Sequence, residues 1–258
     1  MRSSISLPMD RESQHRWFLR VQPDCPEESF GSFISLLRDF VVLGNAGAFV
    51  ASDSDGTSCF MRIAREDRTE RGVLELFVDV GHCDVRYARI LRNIAFGMGE
   101  IVENPVLEFR VEPASRSPRE EQLVAEVDAA EVEAGRFYPE VSSRLRGQIQ
   151  FRQPPDNMSG RRVSLTAVDE LSVPLVEDLT LLVEKWGTVL VVAYPSTEDE
   201  LREGQTMILN VEGRQHDEAT FEVLIDSFIA SEAAFYSLLN LLVIRASLDM
   251  QVLKVVVE

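Results

Sequence analysis

An internal repeat constrains this 258-residue chain more than any other feature. Apolar positions in the first part of the chain recur 146 residues later, at spacings typical of a strand followed by a helix. The matched pairs are Leu19 and Leu165, Phe30 and Val176, Phe33 and Leu179, Leu36 and Leu182, Phe40 and Trp186, and Met61 and Met207. With an offset of 147, the residues Glu75, Asp79, Leu91 and Asn93 match Glu222, Asp226, Leu238 and Asn240. A register kept over this length indicates two fused copies of one unit.

The order of strand-like and helix-like patterns is the same in both copies and predicts β-α-β-β-β-α-β for each unit. The first unit has predicted strands over 17–21, 48–52, 58–64, 72–80 and 106–111, and predicted helices over 27–43 and 84–99. The second unit has predicted strands over 163–168, 188–194, 205–211, 220–226 and 252–257, and predicted helices over 172–186 and 231–247. Right-handed connections place both helices on one face of a mostly antiparallel sheet. The expected fold class is therefore α+β, a tandem duplication of a ferredoxin-like open sandwich.

The domain boundaries follow from the repeat. Residues 1–15 are polar and unpatterned, which predicts a flexible N-terminal tail. The first unit is expected to span 16–112 and the second 163–258. Residues 113–162 are expected to form an acidic, partly helical linker, because carboxylates there alternate with helix-forming residues.

The charge of the chain limits its classes of partner. The formal net charge is −17, and the segment from residue 163 to the end carries 17 Asp and Glu residues against five Lys and Arg residues. A strongly acidic surface repels phosphate backbones and anionic lipids, so neither nucleic acid nor membrane is expected as a partner. The same charge favours a protein partner with a basic surface.

Motifs that would indicate a cofactor, a metal ion or catalysis are missing from the sequence. The three cysteines lack the CxxC spacing of a zinc site and cannot all pair in a disulfide framework. Nucleotide-binding loops, metalloprotease helices and the serine-hydrolase elbow are not found, so no cofactor and no metal are predicted. Neither a signal peptide nor an apolar run of about 18 residues is recognised. The sequence therefore predicts a cytoplasmic protein that is not an enzyme.

Cys83 is the one candidate for a reactive thiol. His82, Cys83 and Asp84 bring a base, a nucleophile and a carboxylate together at the start of a predicted helix, whose dipole would stabilise a thiolate. Adjacent residues rarely point at one another, however, and the second copy has Ile229, Ala230 and Ser231 at the matching positions. A turn in which Asp84 caps the helix is therefore the favoured interpretation, and a reactive thiol is the alternative.

Three polar positions recur in both copies, which gives six residues. Glu75 and Asp79 are four residues apart on one strand, and Glu222 and Asp226 have the same spacing in the other copy, so each pair shares one face of its sheet. Solvated strand positions are the favoured interpretation, and a bound cation or a groove for a basic partner is the alternative. Asn93 and Asn240 lie inside predicted helices, where a shared structural hydrogen bond is favoured over a ligand contact.

The predicted helix over 231–247 is apolar on nearly every side, which requires cover on two sides. Tyr236, Leu239 and Val243 are therefore expected at an interface, either with the first unit or with a second chain in a homodimer. The matching helix of the first unit instead carries a basic flank. This flank consists of Arg86, Arg89 and Arg92, and it is either a solvated face or a surface for an acidic partner, including the second unit itself.

These observations favour a non-enzymatic intracellular protein-binding module made of two homologous units. An acidic inhibitor, an immunity-type protein or a chaperone-type protein would fit. The alternative is a small-molecule-sensing regulatory domain pair that holds its ligand at the seam between the units.

Overall fold

The computed structural model describes residues 5–7, 15–21, 27–50, 60–68, 73–83, 90–91, 94, 106–113, 125–127, 149–151, 161–193, 210–226 and 232–258. Within these ranges the chain contains three complete helices and two larger sheets whose strand pairs are mostly antiparallel. The predicted α+β class is confirmed.

The first half of the chain contains one long helix and a four-stranded sheet. Its elements are β1 (Ile5–Leu7), β2 (His15–Val21), α1 (Glu27–Asn45), β3 (Phe60–Arg68), β4 (Leu74–Gly81), β5 (Val106–Pro113) and β6 (Ala125–Val127). Ile90, Leu91 and Ile94 are also helical, within the range predicted for a second helix. β1 pairs antiparallel with β6, so residues 5–7, expected in a tail, and 125–127, expected in a partly helical linker, are both extended.

The second half contains two long helices. Its elements are β7 (Ile149–Phe151), β8 (Arg161–Ala167), α2 (Val173–Ala193), β9 (Asn210–Asp217), β10 (Thr220–Asp226), α3 (Glu232–Ser247) and β11 (Val252–Val257). α2 begins directly after Ser172, whose Oγ accepts a hydrogen bond from the backbone N–H of Leu175 at 3.4 Å, as an N-cap residue does. The bounds of β10 and β11 agree with the predicted strands.

The two larger sheets have the same strand order. In the first the order is β3-β4-β2-β5, and in the second it is β9-β10-β8-β11, extended by β7. The central strands β2 and β8 each pair antiparallel with two neighbours, β4 and β5 or β10 and β11. β7 pairs parallel with β11 and comes from the segment expected to be a linker.

One predicted strand is wrong, because residues 188–193 continue helix α2. The run of β-branched residues after Trp186 has high strand propensity, but tertiary packing overrides that propensity. Trp186 and Val189 are fully buried, and Gly187 lets the side chain of Val211 approach, since an added Cβ there would lie 3.2 Å from it. Thr188 adapts to the helix by donating its hydroxyl to the carbonyl of Glu184 at 3.0 Å.

Two further strands differ from prediction. Of the predicted strand over 48–52, the described part contains only a single bridge between Val50 and Cys83, and residues 51–59 lie outside the described ranges. β9 continues to Asp217, well beyond the predicted end at residue 211. Most side chains of β9 are polar and exposed, which made the segment resemble a loop.

The helices of the two halves pack against each other. α1 contacts α2, and the buried apolar side chains of both halves form one continuous cluster. At the end of α1, Gly47 has φ 91° and faces α3 so closely that an added Cβ would lie 2.7 Å from Ile244 Cγ2. Within the second half, the indole N–H of Trp186 donates to the hydroxyl of Ser237 at 2.9 Å, which joins α2 to α3 inside the core.

The end of α1 is also fixed to the sheet. The side-chain amide of Asn45 donates to the carbonyl of Met61 at 2.9 Å, and the N–H of Met61 donates back to its oxygen at 2.7 Å. Among the residues that the structure describes, no helix combines the length and the apolar character needed to cross a membrane.

Candidate functional site

Each large sheet buries one face and carries most of its charged side chains on the other, the polar face, which on the first sheet also holds the ring pair of Phe18 and Phe77. Successive side chains of a strand point to opposite faces. Trp17 and Leu19 of β2 are therefore buried, whereas Arg16 and Arg20 lie on the other face. β8 repeats this alternation, and its Arg162 also lies on the exposed face. Because the helical sides of the two halves face each other, the polar sheet faces lie on the outside of the molecule.

The Asp79 cluster lies on the polar face of the first sheet and consists of Arg16, Asp79 and Arg62. The three residues stand in one row, since Asp79 is directly opposite Arg16 on β2 and Arg62 on β3. Arg16 Nε donates to Oδ1 of Asp79 at 2.7 Å, and Arg62 Nη2 donates to Oδ2 at 2.9 Å. Arg20 and Glu75 form a second ion pair on this face, at 3.3 Å.

Both arginines affect the acidity of Asp79. The hydrogen bond from Arg16 is the largest cause that holds the pKa of Asp79 below its ordinary value, and Arg62 acts in the same direction. The Asp79 side chain is only 14% exposed, and this burial opposes the lowering of its pKa without cancelling it. Asp79 therefore remains ionised and paired with the guanidinium groups of Arg16 and Arg62, and these ion pairs link the three strands β2, β3 and β4.

The Glu222 cluster lies on the polar face of the second sheet and consists of Glu222, Arg162, Arg214 and His216. Arg214 Nη2 donates to Oε2 of Glu222 at 2.8 Å, and Arg162 Nε lies 3.2 Å from Oε1. His216 Nδ1 is 3.8 Å from Oε2. The side chain of Glu222 is only 3% exposed, although both arginines are about half exposed. Two guanidinium groups and an imidazole thus cover one carboxylate.

The two clusters share a design that the sequence reading missed. In the first sheet a carboxylate of β4 lies between an arginine of β2 and an arginine of β3. In the second sheet a carboxylate of β10 lies between an arginine of β8 and an arginine of β9. Arg16 and Arg162 are 146 residues apart, the offset of the sequence repeat. This offset was the available signal, but the partners on the neighbouring strands depend on a register that the sequence does not reveal.

The strand register aligns β4 and β10 with a different offset from the one that the sequence suggested. Leu76 is opposite Leu19, and Phe221 is opposite Leu165, so the two ladders align residues 145 apart on β4 and β10. The sequence comparison used an offset of 147, which matched Asp79 to Asp226. In the ladder Asp226 lies at the exposed end of β10 opposite Asn210, and it forms no ion pair with another described residue.

The candidate thiol is buried. Cys83 is 1% exposed, and its Sγ lies 3.8 Å from the carbonyl oxygen of Phe60. His82 before it has φ 54°, a left-handed conformation that ends β4. Asp84 lies outside the described residues, as do Arg86, Arg89, Arg92 and Asn93 of the predicted helix.

The interface candidates on α3 lie inside the molecule. Leu239 and Val243 are fully buried, Tyr236 is partly buried, and Asn240 is buried among them. One turn beyond Asn240, Ile244 packs on Gly47 of the first half. α3 therefore has cover on a second side, as a helix that is apolar nearly all round requires.

One face of α2 combines exposed apolar and acidic side chains. This α2 outer face consists of Val173, Glu177, Leu181 and Glu184, which are spaced by four, four and three residues and so share one side of the helix. Val173 is 68% exposed and Leu181 is 50% exposed. Glu177 and Glu184 are exposed and form no ion pair with any other described residue. This side of α2 therefore presents two exposed apolar side chains together with two carboxylates.

The carboxylates on either side of this face are already occupied. Lys185 of α2 binds Asp39 of α1, and Asp178 of α2 binds Arg245 of α3. Arg245 also donates to Asp249 at 2.6 Å. Within the described ranges no group of three or more His, Cys, Asp or Glu side chains is arranged to hold a metal ion.

Comparisons with known proteins give no family. No protein-family model matches the chain, and no curated protein does. Solved structures with similarity include a FusC ferredoxin protease in complex with Arabidopsis ferredoxin, at 9% identity, with 91% of this chain and 34% of that chain covered and a TM-score of 0.20. The periplasmic protease PqqL from Escherichia coli has 9% identity, coverage of 94% and 34%, and a TM-score of 0.21.

A third similar structure is the formylmethanofuran:tetrahydromethanopterin formyltransferase from Methanosarcina barkeri, with 9% identity, coverage of 99% and 90%, and a TM-score of 0.21. The chain spans about a third of the length of the two proteases. TM-scores of this size do not establish a shared fold.

Proposed function

We propose that the chain is a tandem duplication of a ferredoxin-like unit, with one copy in 16–112 and one in 163–258, and that it works as a non-enzymatic intracellular protein-binding module. The shared strand order supports the duplication, as does the spacing of 146 residues between Arg16 and Arg162, each of which binds a carboxylate on its own sheet. Without the strand once expected over 188–194, the described elements of the second copy follow β-α-β-β-α-β, the ferredoxin-like order.

The α2 outer face carries the binding proposal. Its occupant is a basic, amphipathic segment of a partner protein, in which apolar side chains cover Val173 and Leu181 and cations meet Glu177 and Glu184. The net charge of −17 adds long-range attraction for such a partner. No other described helix face presents two apolar side chains together with two carboxylates that lack an ion pair within the described residues.

The two kinds of side chain have different roles in this contact. Complete burial of a leucine or valine side chain contributes about 1.5–3 kcal/mol, so the exposed halves of Val173 and Leu181 supply most of the affinity. Exposed ion pairs contribute about 0.2–1 kcal/mol each, so the two glutamates mainly provide specificity and a faster association.

The test uses a helical peptide of lysine and leucine residues as a probe of known chemistry. We expect Glu177→Gln combined with Glu184→Gln to weaken its binding about 2–30-fold, as two exposed ion pairs are lost. Leu181→Ser should also weaken binding of this peptide. A matched peptide in which serine replaces leucine should bind weakly, and Leu181→Ser should leave its affinity unchanged. The measurement is fluorescence anisotropy at low ionic strength.

The matched control changes the same charge elsewhere. Glu212→Gln combined with Glu218→Gln removes two exposed carboxylates from β9 and its following turn and should leave peptide affinity within about 2-fold of the wild type. Equal losses in both double variants would show attraction by net charge alone and would reject the α2 outer face. A screen of metabolites by thermal shift tests the regulatory alternative. A bound metabolite at 100 times its Kd would raise the free energy of unfolding by about 2.7 kcal/mol, and such a stabilisation would favour that alternative.

A further inference from the structure

The ion pair between Asp39 of α1 and Lys185 of α2 joins two residues that are 146 positions apart. This separation equals the offset of the sequence repeat, which matches Phe40 to Trp186 on the next residues. Asp39 and Lys185 are therefore each other's counterparts in the two halves. Both are partly buried, and they meet where α1 packs against α2.

The burial of the two helices supports this correspondence. Four positions of α1 are buried, and the residues 146 positions later on α2 are buried as well. The buried pairs are Phe33 and Leu179, Leu37 and Val183, Phe40 and Trp186, and Leu43 and Val189. The two helices thus present the same side to their own sheets and the same side to each other.

Contact between two counterparts has a geometric meaning. Contacts between two equal units related by a two-fold axis occur in pairs. If residue i of the first unit touches residue j of the second, then residue j of the first unit touches residue i of the second. A residue can touch its own counterpart only where the axis passes between the two. The Asp39 and Lys185 contact therefore marks the position of such an axis.

The charges at this point are opposite, although the positions correspond. Two identical units would bring like charges together on the axis, which is unfavourable in a partly buried site. The seam therefore favours contact between unlike halves and disfavours contact between two copies of the same half.

We propose that the helical sides of the two halves are related by a pseudo-two-fold axis between Asp39 and Lys185, and that the opposite charges there make each half select the other half. This inference rests on the proposed duplication but not on the proposed binding at the α2 outer face. It implies that a half from a second chain can replace the half from the same chain when only the second chain offers the opposite charge at position 39 or 185.

A charge exchange tests the axis. Asp39→Lys and Lys185→Asp should each lower the melting temperature by about 4–8 °C, because each places like charges in contact. The double variant Asp39→Lys with Lys185→Asp should return to within about 2 °C of the wild type, since each charge then occupies the counterpart of its original site. A double variant as unstable as the two single changes combined would overturn the axis.

The pair Asp178 and Arg245 is the matched control. It is also a partly exposed ion pair between two helices, but both residues belong to the second half and are not counterparts. A carboxylate at position 245 would face Asp249, so exchange of this pair should not restore stability. Full recovery in both exchanged pairs would show that any ion pair tolerates exchange and would remove the support for an axis.

Mixing the two single variants tests the selection between halves. When Asp39→Lys and Lys185→Asp chains are refolded together at about 100 µM, opposite charges meet only if halves are exchanged between two chains. We expect a heterodimer in light scattering from the mixture and monomers from each variant alone and from the wild type. A mixture that remains monomeric would overturn the selection. Peptide binding at the α2 outer face should be unchanged in the charge-exchanged double variant, which keeps the two proposals separable.

Discussion

The two halves of the molecule agree in strand order and differ in the details of their polar faces. In the Asp79 cluster the three residues stand directly opposite one another across the sheet. In the Glu222 cluster Arg214 is directly opposite the carboxylate, but Arg162 reaches it diagonally from beside Leu224. Buried apolar positions therefore keep their register, whereas long polar side chains can form the same ion pairs after a shift along the strand.

The first helices of the two halves differ in their ends. α1 stops at Asn45 and continues into Gly47 at φ 91°, whereas α2 continues to Ala193, the residue 146 positions after Gly47. A left-handed residue ends a helix, and glycine adopts that conformation without strain. Gly47 thus lies beyond the end of α1, whereas Ala193 still belongs to α2.

The largest effect is expected where this difference is removed. Gly47→Val should lower the free energy of unfolding by about 2–4 kcal/mol, because a β-branched residue is strained at positive φ and its Cβ would overlap the Ile244 side chain. Urea denaturation measures the change. A loss below about 0.5 kcal/mol would mean that α1 ends without the left-handed residue.

The next comparison concerns the two clusters. Glu222→Gln should cost about 1–3 kcal/mol, since a nearly buried acceptor loses its charge beside two guanidinium groups. Asp79→Asn should cost about 0.5–1 kcal/mol, because its partner Arg62 is 72% exposed and solvent screens the pair. Equal costs in matched denaturation experiments would show that burial does not distinguish the clusters.

The pH dependence of the Asp79 cluster gives a smaller effect. The pKa of Asp79 is lowered in the folded protein, so its contribution is fully present above the unfolded value of about 3.9 and is lost as the pH falls through the folded value. The stability difference between the wild type and Asp79→Asn should therefore be constant between about pH 5 and 7 and shrink below about pH 4. A difference that grows on acidification would contradict the sign of the shift.

The smallest effect is a gain in stability. Gly31 lies inside α1 with no atom within 4 Å of an added Cβ, whereas its counterpart on α2 is Glu177. Gly31→Ala should raise the free energy of unfolding by about 0.5–1 kcal/mol, because alanine has the higher helix propensity. A destabilised Gly31→Ala variant would show that the helices of the two halves are not interchangeable at this position.

Much of the fold could be read from apolar periodicity alone. The strands Thr220–Asp226 and Val252–Val257 and the helix Glu232–Ser247 were predicted within a residue, because apolar residues fill most of each segment. The predicted strand ended too early at residue 211, because the exposed, charged side chains of β9 beyond it have no apolar pattern to detect.

The candidate site could be predicted much less well than the fold. The Asp79 and Glu222 clusters depend on which residues face each other on neighbouring strands, and a single sequence does not specify that register. The α2 outer face lies entirely within the helix that was predicted over 172–186, but the sequence does not show which side of that helix is exposed. The exposure of Val173 and Leu181 depends on where α1 and α3 pack, which only the tertiary structure shows.

The charged strands β3 and β9 form corresponding edges of the two sheets among the described strands. An unpaired edge offers its backbone N–H and C=O groups to any other strand, which is a common route to aggregation. β9 carries three exposed charged side chains, those of Glu212, Arg214 and Asp217. A second strand that approached the β9 edge would meet these exposed charges, which disfavours edge-to-edge pairing between two chains at that side of the sheet.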